Sequence, residues 1–426
     1  MRVIATKIYD ADEFGSKKLT KRYTAPDGLS CRQELSIASE SDYVNSSKVR
    51  MSSDNGKTWS AWDDIPFENI SVMYGEDEMI NAETVRVWNP VHMHYVSTYW
   101  TRYFIGGHEK AYNGYWKRGE RTFFDHQYIA ISENGGGKNI SRSFVKYEDG
   151  DDFNSDNPRN SGFLNKNCGF LNDVTVLRNG DIAVAVGVPI DVGCRIAGLD
   201  VNKVFPSCPT IHRCVIVARG KYNVKSKQYD LTFSNPVILG DLRSSRGIDE
   251  PIVVELSSSR LLLVMRGSNV KSEAWKTRIE DGTPSFKWYS YSDDGGKTFT
   301  EAEPWRFDDR EIIYSAATIS KFIRSSKNGK LYWVGNIAPH SAYGNFPRYP
   351  LYIAEVNETL GLLKKENLTV VDTRRDGETD KVQLSNFEII EDRESGNFEL
   401  TLEKLGQYYA SRPFYCETWH YEIVIE

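Results

Sequence analysis

The sequence predicts an all-β protein and, within that class, a six-bladed β-propeller. Three observations carry this. Helical periodicity is nearly absent, while short β-rich runs bounded by Gly, Asn, Asp and Ser recur from end to end. A hairpin followed by further strands repeats at intervals of roughly 60 to 80 residues, the way propeller blades show in sequence. One eight-residue phrase also occurs twice, far apart in the chain.

The clearest hairpin is Asn172-Asp173-VTVLRNGDIAVAVGV, two alternating runs joined by Asn179-Gly180. Glu250-PIVVELSSSRLLLVMR-Gly267 repeats the plan, as does Tyr314-SAATISKFIRSSKNGKLYWVGN, which turns at Asn328-Gly329. On this reading one domain, residues 1–426, holds blades at 28–68, 76–150, 161–240, 246–307, 312–373 and 381–426. The end strands RVIATKIY and HYEIVIE both alternate and lack nearby partners, so they are expected to close the ring within one blade. The alternative is a seventh blade inside the long third segment.

Bulk composition narrows the partners. Aromatic residues make up 12% and hydrophobic residues 40% of the 426, enough for a large core. A net charge of -6 gives no broad cationic surface, which argues against nucleic acid and means that an anionic ligand needs a local Arg cluster. No apolar run reaches the roughly 18 residues needed to cross a bilayer, and MRVIATKIYD lacks a signal-peptide layout. The expectation is no membrane partner, with a secreted or periplasmic location if a leader was removed and a cytoplasmic one otherwise. Cys31, Cys168, Cys194, Cys208, Cys214 and Cys416 lack zinc-site spacing, and no cofactor or calcium signature occurs. Cys194, Cys208 and Cys214 lie close enough for one disulfide, with buried free thiols as the alternative. The Asn-x-Ser/Thr sites at Asn45, Asn69, Asn139, Asn357 and Asn367 are as frequent as composition alone would give.

The repeated phrase is Ser52-Ser53-Asp54-Asn55-Gly56-Lys57-Thr58-Trp59 and Ser292-Asp293-Asp294-Gly295-Gly296-Lys297-Thr298-Phe299. As a turn it makes physical sense: Asp accepts backbone N–H bonds, Gly supplies a positive φ and the aromatic wedges between strands. A third copy, Ser132-Glu133-Asn134-Gly135-Gly136-Gly137-Lys138, keeps the turn without the Asp, Thr and aromatic. The phrase resembles the Asp box of sialidases and related BNR-repeat propellers. That resemblance implies structural roles for Asp54 and Asp294 on the outer rim, away from the ligand.

In a propeller the innermost strand of each blade lines the axis, so strand starts are where functional residues belong. Blade four opens with Arg246-Gly247-Ile248-Asp249-Glu250-Pro251, and its partner strand ends at Arg266-Gly267. A hairpin returns its ends to one edge, which places Glu250 beside Arg266. A strand-end ion pair is the bland reading. The segment also resembles the sialidase stretch in which Glu polarises a Tyr nucleophile and Arg grips the substrate carboxylate, as a guanidinium fork does well. By the same resemblance Arg348, in Asn345-Phe346-Pro347-Arg348-Tyr349-Pro350-Leu351, corresponds to another arginine of the clamp. Arg246 and Arg32 are the further candidates, Arg32 because the family's Arg-Ile-Pro phrase is missing. The last blade has Gln383-Leu384-Ser385-Asn386-Phe387 where the family has its Tyr, which makes Asn386 a candidate contact and leaves Tyr314, otherwise a packing residue, as candidate phenol. Asp249, or Asp63 and Asp64 in the first blade, is the candidate proton donor.

The second blade adds His92, His94, Tyr99, Trp100 and His126. On a strand His92 and His94 share a face, so they could bind a metal, or His94 is a candidate base beside Trp100 as a sugar platform, or all are a polar strand with stacked aromatics. Three functions follow. The first is a sialidase-like glycoside hydrolase acting on an acidic oligosaccharide or glycoconjugate, without the usual Tyr. The second is a lyase of the same fold acting beside a uronic acid. The third is a glycan-binding propeller without catalysis.

Overall fold

The computed structural model describes residues 1–40, 43–66, 70–133, 139–171 and 173–426. Asn69, Asn172 and positions 134–138 of the third turn copy lie outside the described residues. The chain is a six-bladed β-propeller of six antiparallel sheets. It divides into two compact units: Met1–Phe67, Pro284–Phe286 and Trp305–Glu426 form one, and Glu68–Thr283 with Lys287–Pro304 form the other.

The first unit carries three sheets. One is Ser16–Tyr23, Cys31–Ala38, Ser46–Ser52 and Asp63–Ile65. It starts earlier than the predicted residue 28, because SKKLTKRY is rich in cations and shows no two-residue alternation: Ser16, Leu19 and Tyr23 are buried, while Lys18 is neutralised by Glu388 at 2.8 Å. The second sheet is Ser320–Arg324, Leu331–Asn336 and Leu351–Asn357, with Leu362–Leu363 and Thr369–Asp372 both paired to the last of these. In the third, Phe387–Glu391, Phe398–Glu403 and Thr418–Val424 are followed by Arg2–Tyr9, and Arg2 stands opposite Val424. Val334, Ile353, Phe387, Phe398, Leu400 and Tyr421 form the core between the last two sheets.

The second unit also carries three sheets. Ser71–Tyr74, Asp77–Asn89, His94–Phe104, Phe123–Ser132 and Asn139–Phe144 make a five-stranded one. The next is Thr175–Val176, Ile182–Pro189, Arg213–Asn223 and Gln228–Phe233, and the last is Ile248–Glu255, Leu261–Gly267, Lys287–Ser292 and Glu303–Pro304. The Asn179-Gly180 turn forms with Gly180 at φ 85° and Thr175 opposite Ala183. Ile182–Pro189 is buried at every position, as expected of a strand covered on both faces. Its Val and Ile side chains contribute about 1.5–3 kcal/mol each by leaving water.

Helices enter only as insertions, the longest being His108–Arg118 and Ile190–Ala197. The first has no apolar stripe, with only Ala111, Tyr112 and Gly114 buried, which is why periodicity did not reveal it. Gly119 ends it at φ 67°, its N–H bonding back to the last turn. Among the described residues no helix is long and apolar enough to cross a membrane. All six cysteines are free thiols, so the loop disulfide does not form.

The two S-x-D-x-G-x-T segments fold alike. Asp54 accepts Ser52 Oγ at 2.8 Å, Thr58 N at 2.8 Å and Thr58 Oγ1 at 2.6 Å; Asp294 accepts Ser292 Oγ at 2.8 Å, Thr298 N at 3.0 Å and Thr298 Oγ1 at 2.7 Å. Gly56 and Gly296 supply φ of 87° and 89°. The Thr58 hydroxyl and amide bonds hold the Asp54 carboxyl down at about 2. In the second unit this turn follows Ser292, whereas Lys287 at the other end of the same strand pairs with Arg266. At about 3.3 Å per residue, the turn lies roughly 17 Å along the sheet from Arg266.

Candidate functional site

One end of the second unit holds a chain of mostly shielded charged residues. Arg213, opening its strand, forms a parallel bridge with Gly247, just before strand Ile248–Glu255. Gly247 takes φ 70°, and a Cβ there would lie 2.2 Å from the Arg213 carbonyl oxygen, so only glycine lets the two sheets meet so closely. Gly187 serves the same junction, since a Cβ would stand 2.9 Å from Asp249 Oδ1.

Across this junction run alternating charges. Arg102 donates to Asp125 through Nε at 2.7 Å and Nη2 at 3.1 Å. Arg213 donates to Asp125 at 2.7 Å and to Asp249 at 2.8 Å. Arg266 reaches Asp249 at 3.4 Å and Glu250 at 3.3 Å. Asp125 also accepts Trp100 Nε1 at 2.8 Å. Burial opposes ionisation of Asp125 and Asp249, but the guanidinia outweigh it and hold both carboxyls below the ordinary carboxylate value. Burial likewise works against the charge on Arg213, and Asp249 and Asp125 more than restore it.

Glu250 sits on a bulge. Strand pairing slips between Asp249 and Ile252, and Glu250 takes φ 44°, a left-handed conformation uncommon for a side-chain-bearing residue. Its N–H donates to Asp249 Oδ1 at 2.8 Å. Glu250 Oε2 is buried and has no hydrogen-bond partner among the described residues. Strain and an unsatisfied acceptor on one residue are what functional sites retain and structural ones shed.

Inserted segments cover this end. Tyr115, on the helix His108–Arg118, donates to the Ile211 carbonyl at 3.0 Å. Burial, moderated by Arg213, raises its phenol above the ordinary value. Arg246 lies 5.1 Å over the Trp275 ring and donates to Ser268 Oγ at 3.4 Å. His212 packs edge-on against Trp275, and burial pushes its imidazole down to about 3.

Glu250, Arg266 and Asp249 therefore meet, with Arg246 on the segment leading into their strand. Other expectations change. Asp249 is fixed among Arg213, Arg266 and the Glu250 amide, surroundings that keep an anion rather than a proton donor. Trp100 is not an open platform: its ring lies 4.4 Å under Arg102 and its N–H is spent on Asp125. His94 is buried, its Nε2 2.8 Å from the Tyr229 hydroxyl and its ring beside His92 and Tyr222; burial takes it down to about 4. Eight residues along one strand separate it from Arg102, roughly 26 Å. His126 is wholly buried against Phe163.

The remaining candidates belong to the first unit. Arg348 donates to Gln383 Oε1 at 2.6 Å and Ser385 Oγ at 3.4 Å. Arg32 pairs with Glu34 at 2.8 Å. Tyr314 packs at 5.6 Å from Phe286, and Asn386 bonds toward buried Glu403. Sequence reading missed Arg102, Tyr115, Asp125 and Arg213. Tyr115 sits in a helix without a stripe, and Arg102 and Asp125 in aromatic-rich strands; it is contacts between sheets, Arg213 with Asp249 above all, that link them to Glu250.

No protein-family model matches the chain, and no curated protein matches it. Solved structures do. A protein of unknown function from Dyadobacter fermentans aligns over 99% of both chains with TM-score 0.58 and 14% identity. A variant of NanB sialidase from Streptococcus pneumoniae aligns over 98% of this chain and 70% of its own, with TM-score 0.54 and 10% identity. Trypanosoma rangeli sialidase in complex with 2,3-difluoro-KDN aligns over 99% of this chain and 58% of its own, with TM-score 0.51 and 10% identity. In fold, the chain is a sialidase-like β-propeller.

Proposed function

We propose that the chain is a glycoside hydrolase acting on an acidic sugar, with Glu250 as the carboxylate that activates the attacking group. The observation that carries this reading is the buried, partnerless Oε2 of Glu250, on a strained bulge 3.3 Å from Arg266. Arg266 is held by contacts of 3.3 and 3.4 Å, looser than those of Arg213, which leaves it room to turn toward a ligand. Arg246 is the second ligand-facing guanidinium, and Tyr115 brings a phenol to the same end in place of the last-blade Tyr. His94, His126 and His212 are buried and His108 is paired with Glu78 at 2.8 Å, which favours hydrolysis over a lyase driven by one of these rings. The sialidase fold of the neighbours supports the sugar class by likeness only.

The test is release of a fluorescent aglycone from aryl glycosides of N-acetylneuraminic and glucuronic acid. Glu250→Gln is expected to lower turnover by about 100-fold or more. Unchanged turnover removes Glu250 from the chemistry. An ultraviolet-absorbing unsaturated product instead identifies a lyase, and tight binding without turnover a lectin-like role.

A further inference from the structure

The alternating chain at this end neutralises its own arginines. Arg102, Arg213 and Arg266 are matched by Asp125, Asp249 and Glu250. Arg121 is different: among the described residues no carboxylate lies within ion-pair distance of it, and its guanidinium rests 4.9 Å over the Phe124 ring. It lines a recess of about 30 Å³ with Tyr115, Asp125, Cys168, Thr210 and Arg213. Thr210 is exposed, so the recess meets solvent there. One water needs about 10–15 Å³ of such space, so the recess has room for about two oxygens, the number a carboxylate carries.

We propose that Arg121 holds the anionic group of the ligand in this recess, a role the sialidase resemblance does not give it. The inference rests on the acidic-sugar reading above and deepens it by moving the charge anchor away from Arg348 and Arg266. A guanidinium without a counter-charge can give both its forks to a ligand carboxylate, whereas one already bridging two carboxylates must first release them. Asp191, at the start of the helix Ile190–Ala197, feels the charge of Arg121 but makes no ion pair with it among the described residues and does not line the recess. A guanidinium with no ion pair, at a recess that meets solvent, suits the acid group of a sugar acid.

The test is titration calorimetry on the intact chain with D-glucuronate, N-acetylneuraminate, the carboxamide of each and glucose 6-sulfate. The acids are expected to bind at least about tenfold more tightly than their amides, and Arg121→Gln to lose about 10- to 100-fold for the acids alone. Arg121→Lys should recover part of the loss. A sulfate that binds as tightly as the acids, with the same dependence on Arg121, assigns the recess to sulfated sugars and overturns the carboxylate assignment. An Arg121→Gln protein that keeps the preference for acid over amide overturns it too. Should that variant fail to fold, the acid-to-amide ratio of the unaltered chain decides, and a ratio near one sinks the idea. Arg121-dependent binding with turnover indifferent to Glu250→Gln defeats the catalytic reading while leaving this one standing; the reverse pattern defeats this one alone.

Discussion

Arg213 and Asp249 stand 2.8 Å apart, joining the strand Arg213–Asn223 to the strand Ile248–Glu255 of the next sheet. The proposed role of Glu250 depends on that contact, because Asp249 in turn fixes the Glu250 amide and Arg266.

Asp125 balances Arg102 and Arg213 together, with only 3% of its side chain exposed. Asp125→Asn leaves two buried guanidinia under-compensated and is expected to cost about 3–5 kcal/mol, read from the denaturant midpoint. A loss below about 1 kcal/mol contradicts the role given to the charge chain.

Gly247→Ala tests the junction itself. A methyl group 2.2 Å from the Arg213 carbonyl, at φ 70°, must push the two strands apart. At least about 1–3 kcal/mol of stability should go, together with activity. Gly329→Ala is the comparison, since it shares a φ of 71° but meets nothing within 4 Å; it should show the backbone cost alone.

Glu250→Gly should abolish function while costing less stability than Asp125→Asn. Glycine adopts φ 44° freely and removes the orphan oxygen, but it also takes from Arg266 one of its two carboxylates, so relief of strain offsets only part of the lost ion pair and a net loss of about 1–3 kcal/mol is expected while turnover disappears. A fully active variant contradicts the assignment.

Acid should weaken the fold well above the carboxylate range. Burial lowers His126 and His212 to about 3 and His94 to about 4, from an ordinary 6.5. The native state thus prefers the neutral rings. Their contribution is complete above 6.5 and is lost as pH falls toward the native values, because the unfolded chain takes up protons that the folded one refuses. Each ring adds a slope of about 1.4 kcal/mol per pH unit. His126→Phe, which keeps the packing on Phe163, should flatten the stability profile between pH 6.5 and 3.

The hairpins were legible because Asn-Gly turns and alternation are local properties, and the Asn179-Gly180 hairpin forms as read. The pairing of Glu250 with Arg266 was legible for the same reason: two strands and one turn determine it. Arg102, Asp125 and Arg213 were not, since their partners sit on other strands at separations of 23 to 88 residues. His94 misled because a period of two tells which residues share a face but not whether that face meets solvent; here Tyr222 and Tyr229 close over it. The polar strand SKKLTKRY escaped notice because its cations are paid for by distant Glu388 and Glu399, which no local pattern announces.

The helix His108–Arg118 interrupts two strands whose pairing is complete without it, Phe104 standing opposite Phe123 at its base. Tyr115 belongs to this excursion and Arg121 to its return, so these two groups proposed to greet a ligand ride on a cassette rather than on the blade strands. On the proposed reading, exchange of that one excursion gives selection, or an engineer, a way to retune which sugar is accepted while Glu250 and its supporting charges stay where they are.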